Sequence, residues 1–235
     1  MAHHHPHVED HLKSSEFITD IVIGMSDGLT VPFALAAGLS GAVGSNGVIL
    51  TAGIAEIVAG SIAMGLGGYL AGKTEQEHYA SELRREYDEV ERLPEREKQE
   101  VREIFAEMGL NAQIQETIVE EMVKDKDKWV SFMMKYELGL EPPHVNRARN
   151  SALTIGIAYI AGGLIPLLGY ILTSTPMQGL LSSAILTVIC LFIFGYFKSK
   201  ITGQHPIQGA FKVTGVGVAA AGVAFLIAKL IGGAL

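Results

Sequence analysis

Two acidic residues, Asp27 and Glu56, lie inside an otherwise uncharged stretch that runs from Ile21 to Gly72. A charged side chain at the centre of a bilayer costs roughly 2.5–3.5 kcal/mol on insertion scales, and such residues usually face a pore or a partner. The same stretch contains no Lys or Arg that could pair with them. We therefore expect both carboxylates to be protonated when empty or neutralised by a bound cation. A structural hydrogen bond inside a helix bundle is the alternative.

Met64 adds a thioether to these two carboxylates if the segments that carry them are antiparallel helices. Asp27 and Met64 then lie at the same depth, and Glu56 follows two turns along from Met64. Carboxylates with a thioether suit a transition metal of intermediate softness, whereas Mg²⁺ and Ca²⁺ prefer oxygen ligands. Because a metal must displace protons from carboxylates, this set gives proton–metal exchange a physical basis. The alternative for Met64 is plain packing against lipid or core.

A second group of acidic residues recurs at helical spacing in the middle of the chain. A spacing of three or four residues places both members of each pair on one helix face: Glu86 with Glu89, Glu97 with Glu100, and Met133 with Glu137. Like charges this close destabilise a helix slightly unless something positive lies between them. The pairs are therefore candidate metal ligands, and a solvated acidic face is the alternative.

Two further pairs have the Glu-x-x-His spacing of di-iron ferroxidases, namely Glu75 with His78 and Glu141 with His144. Pro142-Pro143 interrupts the second pair, and a helix interior does not tolerate proline. A ferroxidase is therefore a minor alternative. The start of the chain is rich in histidines that could chelate a metal, but we assign no site to them: His3, His4, His5, His7 and His11.

The elements that must position these residues follow from the distribution of charge. Residues 73–143 carry 19 Asp and Glu against 11 Lys and Arg, whereas residues 144–235 carry no Asp or Glu at all. The chain is thus an apolar body with an acidic insert. This excludes a single soluble globular domain, a disordered chain and a secreted disulfide scaffold, and the one cysteine, Cys190, cannot form an internal disulfide.

The apolar body is long enough for five membrane-spanning helices, since each needs about 20 apolar residues. The predicted spans are 19–43, 47–72, 151–172, 178–197 and 209–235. Seventeen of the 18 Lys and Arg fall on one side of this topology, which the positive-inside rule makes cytosolic. The N-terminus and the insert are then cytosolic, and the C-terminus lies on the far side.

The insert is predicted to be helical, and we expect the second span to continue as a helix into the 80s. Pro94 is well placed near the start of the next helix, which Gly109 ends. Another helix runs from about Asn111 to Asp125, and a last one contains Trp129. The chain then divides into an N-terminal segment (1–18), spans one and two (19–72), the helical insert (73–143) and spans three to five (144–235).

The segment from Ser26 to Ala42 reads SDGLTVPFALAAGLSGA. With the span that carries Glu56 and Met64 and the glutamate-rich insert, it resembles the vacuolar iron transporter family, most closely its plant members. The resemblance implies an iron(II)/proton antiporter that works as a homodimer, loads the vacuole from the cytosol and contributes to iron homeostasis. It implies no prosthetic group and no nucleic-acid partner. Relatives move manganese, cobalt, nickel or zinc to varying degrees.

The resemblance also assigns roles to residues. In the spans, the path ligands would be Asp27, Glu56 and Met64, near a dimer interface between the first and second spans. In the insert, the resemblance implies a cytosolic metal-binding domain with six ligands: Glu86, Glu89, Glu97, Glu100, Met133 and Glu137. The competing hypotheses are a membrane-anchored metal buffer or sensor without transport, a membrane ferroxidase, and a channel without proton coupling.

Overall fold

A computed structural model describes residues 11–232 of the chain, with side chains from residue 16 to residue 231. This described part contains eight α-helices and no strand: α1 (His11–Ser40), α2 (Asn46–Arg92), α3 (Pro94–Glu107), α4 (Ala112–Met122), α5 (Lys126–Tyr136), α6 (Arg147–Ile171), α7 (Pro176–Ile201) and α8 (Pro206–Gly232). The prediction of an all-α protein is confirmed.

Five of these helices, α1, α2, α6, α7 and α8, are long and apolar enough to cross a membrane. This confirms the predicted number of spans. The helix bounds lie within about four residues of the predicted ones except in α1, which starts eight residues earlier than predicted, and in α2. The 47 residues of α2 extend about 70 Å, more than twice the thickness of a bilayer core. Since its uncharged part ends at Gly72, we take 47–72 as the membrane-spanning segment of α2.

The chain divides into two compact units. One consists of the described residues up to Tyr69 together with those from Arg149 onward, and the other is Leu70–Ala148. We call the first the bundle and the second the insert unit, and each is described by itself.

The bundle is held together by apolar packing and by glycines that allow backbones to approach closely. Ala36 of α1 joins a buried cluster with residues of α2 and α6, and Ala37 joins another with residues of α7 and α8. A Cβ added at Gly24 would lie 2.3 Å from the carbonyl oxygen of Ile155, and one added at Gly28 would lie 2.3 Å from that of Tyr159. The small residues Gly24 and Gly28 therefore let α1 approach the backbone of α6 closely.

The insert unit has its own apolar core, to which the end of α2 and the helices α3, α4 and α5 contribute. Trp129, Val130 and Met134 are almost fully buried there. Pro94 occupies the first turn of α3 as predicted, and the side chain of Asn111 accepts a hydrogen bond from the backbone N–H of Ile114 at the start of α4. These residues mark the starts of α3 and α4.

Candidate functional site

Glu56 is half-buried on the membrane-spanning segment of α2, and its two carboxylate oxygens have different surroundings. The hydroxyl of Tyr159, on α6, donates a hydrogen bond to Oε1. Oε2 is buried and has no hydrogen-bond partner. An unpartnered buried carboxylate oxygen is expensive in an apolar environment, so this atom is the natural binding point for a proton or a cation.

Gly60 explains how the tyrosine reaches this carboxylate. It lies one turn beyond Glu56 on α2, and a Cβ added there would be 2.4 Å from the Tyr159 hydroxyl oxygen. The missing side chain therefore leaves the space that the tyrosine ring fills. A larger residue at this position would displace the Tyr159 ring from Glu56.

Asp27 approaches the same tyrosine from α1. It is half-buried, it precedes Gly28, which packs against the backbone of Tyr159, and it interacts electrostatically with the Tyr159 hydroxyl. Tyr159 therefore interacts with both of the carboxylates that the sequence analysis identified. Met64 is half-buried two turns further along α2 than Glu56, and its place in the ligand set stays a prediction.

Sequence reasoning missed Tyr159, which lies 103 residues away from Glu56 in the chain. A signal was present, because Tyr159 brings a hydroxyl into a stretch from Asn150 to Phe197 that carries no charge. A buried tyrosine hydroxyl usually finds a hydrogen-bond partner. That rule indicates a polar partner on a neighbouring helix but does not identify which one.

The insert unit brings three of its six predicted ligands together. Carboxylate oxygens of Glu86, Glu97 and Glu137 all lie within 4.8 Å of one another. Glu86 and Glu97 are each only 2% exposed, while Glu137 is exposed at the end of α5. Oε1 of Glu86 and Oε2 of Glu97 are buried without a hydrogen-bond partner. Three convergent carboxylates, two of which have an unpartnered buried oxygen, form a set that can hold a divalent cation.

The close approach of these acids changes their proton affinity. Burial, and then the charge of Glu97, raise the pKa of Glu86 to about 8. Burial, and then the charge of Glu100, raise the pKa of Glu97 to about 7. The pKa of Glu137 is raised as well, mainly by partial desolvation of its carboxylate beside the two buried acids and then by the charge of Glu100. A cation that binds here at neutral pH must therefore displace protons.

The other three predicted ligands have different surroundings. Glu89 accepts a hydrogen bond from Arg85 at 3.2 Å, and Glu100 accepts one from Arg96 at 3.0 Å. Met133 is fully buried in the apolar core of the insert unit, where it packs with Trp129 and its neighbours. The structure therefore places all six residues in one unit, and it brings carboxylate oxygens of Glu86, Glu97 and Glu137 within 4.8 Å of one another.

The Glu-x-x-His pairs do not contribute to this carboxylate cluster. Glu75 forms an ion pair with Arg147 at 3.6 Å, and His78 lies 4.0 Å from Glu82. Neither pair belongs to the one group of convergent ligands found among residues 11–232. Of the N-terminal histidines, four lie outside the described residues, and nothing is described of the side chain of His11.

Comparison with known proteins gives a matching family and several similar relatives. Residues 18–229 match the model of the VIT family. The chain is 50% identical over 225 residues to vacuolar iron transporter 1 of Arabidopsis thaliana, which covers 96% of this chain and 90% of that protein. It is 50% identical over 223 residues to the vacuolar iron transporter of Centaurea cyanus, covering 95% and 91%. It is also 40% identical over 228 residues to protein CCC1 of Saccharomyces cerevisiae, covering 92% and 69%.

Proposed function

The chain belongs to the VIT family, and from this premise we propose that it moves iron(II) from the cytosol into the vacuole in exchange for protons. Three relatives that carry the words vacuolar iron transporter in their names match over nearly the whole chain, which supports both the cargo and the membrane. The observation that carries the proposal is the unpartnered Oε2 of Glu56, a buried carboxylate oxygen in an apolar span.

In this proposal, Asp27, Glu56 and Met64 are the ligands of the ion on its way through the membrane. Two carboxylates and a thioether suit Fe²⁺, and they admit zinc, cobalt, manganese and nickel as further cargo. Tyr159 holds one oxygen of Glu56, so that the other oxygen is free for the ion. The tyrosine thereby positions the carboxylate and does not compete for the metal-binding oxygen.

Proton exchange follows from the absence of a fixed counter-ion. The sequence places no Lys or Arg between Ile21 and Gly72, so nothing in this stretch neutralises Asp27 or Glu56 permanently. A carboxylate in hydrocarbon must then carry either a proton or a cation. Fe²⁺ arriving from the cytosol displaces the protons, and protons from an acidic lumen displace the metal on the other side. This is secondary transport and needs no enzymatic step.

We propose that the insert, residues 73–143, collects iron. With the N-terminus and the insert in the cytosol and the C-terminus in the lumen, the acidic residues meet the metal before it enters the membrane. Glu86, Glu97 and Glu137 form the inner part of this site, and Glu89, Glu100 and Met133 complete the predicted ligand set. The functional protein is proposed to be a homodimer, with the path near an interface formed by the first and second spans.

The proposal is tested by Fe²⁺ uptake into proteoliposomes that contain the full chain. With an acidic interior, uptake should be fast, and collapse of the pH gradient with an ionophore should slow it strongly. The Asp27→Ala variant should abolish the gradient-dependent part. Uptake that ignores the gradient would refute antiport and leave a channel, whereas normal transport by the Asp27→Ala variant would refute the path.

A membrane-anchored metal buffer or sensor is the second candidate function, because the convergent glutamates of the insert unit could bind metal without any transport. The two functions differ in one measurement. A buffer binds divalent metal but moves none across the membrane at any gradient. Metal binding by the full chain, with no uptake above that of empty liposomes, would establish the buffer and refute the transporter.

A further inference from the structure

The insert unit contains the same five-residue pattern twice. Residues 85–89 read Arg-Glu-Tyr-Asp-Glu at the end of α2, and residues 96–100 read Arg-Glu-Lys-Gln-Glu at the start of α3. Each copy therefore has an arginine, a glutamate next to it, and a second glutamate four residues after the arginine. The sequence pattern alone does not show what the repeated arginine does.

The two copies also have the same contacts. In each copy the first glutamate, Glu86 or Glu97, is buried in the carboxylate cluster. In each copy the last glutamate accepts a hydrogen bond from the arginine that precedes it by four residues, at 3.2 Å for Glu89 and 3.0 Å for Glu100. We call Glu86 and Glu97 the inner pair, and Glu89 and Glu100 the outer pair. The arginines form ion pairs with the outer pair and not with the inner pair, and Arg85 also lies 3.6 Å from Glu82.

From these contacts we propose that Arg85 and Arg96 are resident counter-ions of the empty insert site, which compete with an incoming divalent cation for Glu89 and Glu100. This rests on the proposed function, in which the insert binds metal. A cation that uses both the inner and the outer pair must replace the two guanidinium groups, whose positive charge also weakens its attraction to the cluster. The arginines thereby set how tightly the insert holds its metal and how readily it releases it.

The exposure of the arginines suits displacement. The side chains of Arg85 and Arg96 are each 64% exposed, so both can swing into solvent without loss of packing. An exposed ion pair of this kind contributes about 0.2–1 kcal/mol, which corresponds to roughly a 1.4- to fivefold change in a binding constant. The competition therefore tunes affinity and does not block the site. Arg92 offers a matched control, because it pairs with Asp88 at 2.9 Å, which is outside the predicted ligand set.

The test is a calorimetric titration of the full chain in detergent with Zn²⁺, a redox-stable probe. All variants are made in an Asp27→Asn/Glu56→Gln background, which removes the two carboxylates of the proposed path from the titration. The Arg85→Gln/Arg96→Gln variant should bind Zn²⁺ about two- to twenty-fivefold more tightly, and Arg92→Gln should leave the affinity unchanged. In a Glu89→Gln/Glu100→Gln background, the arginine substitutions should have no effect. Fluorescence of the single tryptophan, Trp129, reports whether the unit is folded.

The possible outcomes separate this proposal from the one it rests on. Unchanged or weaker Zn²⁺ binding by the arginine variant, in a chain that still binds metal, would overturn the counter-ion role alone. An equal gain with Arg92→Gln would also overturn it, because the effect would then be one of overall charge. If a Glu86→Gln/Glu97→Gln variant binds Zn²⁺ as tightly as the starting protein, the insert site itself is refuted. Should Arg85→Gln/Arg96→Gln not fold, the two single variants carry the test, each with an expected gain of up to about fivefold.

Discussion

The carboxylates of the bundle and those of the insert unit are neutralised in different ways. Glu56 has one neutral partner, the Tyr159 hydroxyl, and no cation occurs in its apolar stretch of sequence. The insert carboxylates have permanent cations beside them, since Arg85 and Arg96 hold the outer pair. Both groups nevertheless contain buried carboxylate oxygens without a hydrogen-bond partner.

Under the proposed function, this difference matches the two solvents in which the groups operate, hydrocarbon and water. In hydrocarbon a fixed ion pair would neutralise a path ligand permanently, so the compensating charge must come from something that moves, a proton or the transported ion. In a unit that water reaches, an exposed arginine is a weak and displaceable partner. The bundle site is therefore suited to binding in which a proton and a metal ion always replace each other. The insert site is suited to metal binding whose strength the arginines adjust.

The largest expected effect is that of Glu56→Gln in the bundle. Glutamine keeps the shape and can still accept from Tyr159, but it cannot exchange a proton for a metal ion. Removing one partner of a buried charge pair costs about 3–5 kcal/mol, and the pair here is the carboxylate with the bound metal ion. Fe²⁺ uptake into proteoliposomes should therefore fall at least about a hundredfold. Zn²⁺ binding by the insert should be unaffected, which keeps the two regions distinct.

Ser61→Ala is the matched control for this substitution, because Ser61 is buried on the same helix and its hydroxyl bonds only the backbone carbonyl of Val58. Its uptake should equal that of the unmodified protein. Normal uptake by Glu56→Gln would show that transport does not require Glu56 to exchange a proton for a metal ion. The bundle and the insert would then not differ in this respect.

The second effect is the pH dependence of metal binding in the insert. With pKa values of about 8 for Glu86 and about 7 for Glu97, acidification from pH 8 to pH 7 adds protons that the metal must displace. The affinity for Zn²⁺ should therefore fall about tenfold over this step. Titrations of the full chain at the two pH values measure it, and Glu86→Gln/Glu97→Gln should be weak at both. Equal affinities in the unmodified protein would show that the acids of this cluster do not carry these protons.

The third effect concerns the stability of the metal-free insert unit. An acid whose pKa is raised by folding stabilises the fold below its ordinary pKa of 4.5, and this stability is lost as the pH rises through the folded value. Raising the pH from 7 to 8 should cost roughly 1 kcal/mol. The fluorescence of Trp129, buried in this unit, gives the unfolding midpoint in the presence of a chelator. The midpoint should drop by a few degrees, but not in Glu86→Gln/Glu97→Gln.

Much of the architecture could be predicted because it depends on local or compositional signals. Long uncharged stretches give the five spans, and Pro94 and Asn111 mark the starts of helices with known capping preferences. The carboxylates of the spans stand out because an acid in hydrocarbon is rare whatever the fold. Helical spacing alone likewise places Glu86 with Glu89 and Glu97 with Glu100 on common faces.

The partners of these acids could not be predicted in the same way. The hydrogen bond between Tyr159 and Glu56 depends on how α6 packs on α2, and the space for it comes from Gly60. The choice of Glu86 and Glu97 for the buried cluster depends on how α2 and α3 face each other within the insert unit. Contacts between distant segments are set by packing of whole helices, which spacing within one helix does not contain.

The smallest expected effect is that of Tyr159→Phe, which removes one neutral hydrogen bond and keeps the ring that fills the space at Gly60. A hydrogen bond of this kind contributes about 0.5–1.5 kcal/mol, so uptake of Fe²⁺ should fall by about three- to tenfold while the pH gradient still drives it. The control is Tyr170→Phe, which removes the hydrogen bond between Tyr170 and Ser40 elsewhere in the bundle and should leave uptake intact. If Tyr159→Phe abolished uptake as Glu56→Gln does, the tyrosine would be a ligand or proton carrier. The bundle site would then differ from the insert site in its chemistry as well as in its neutralisation.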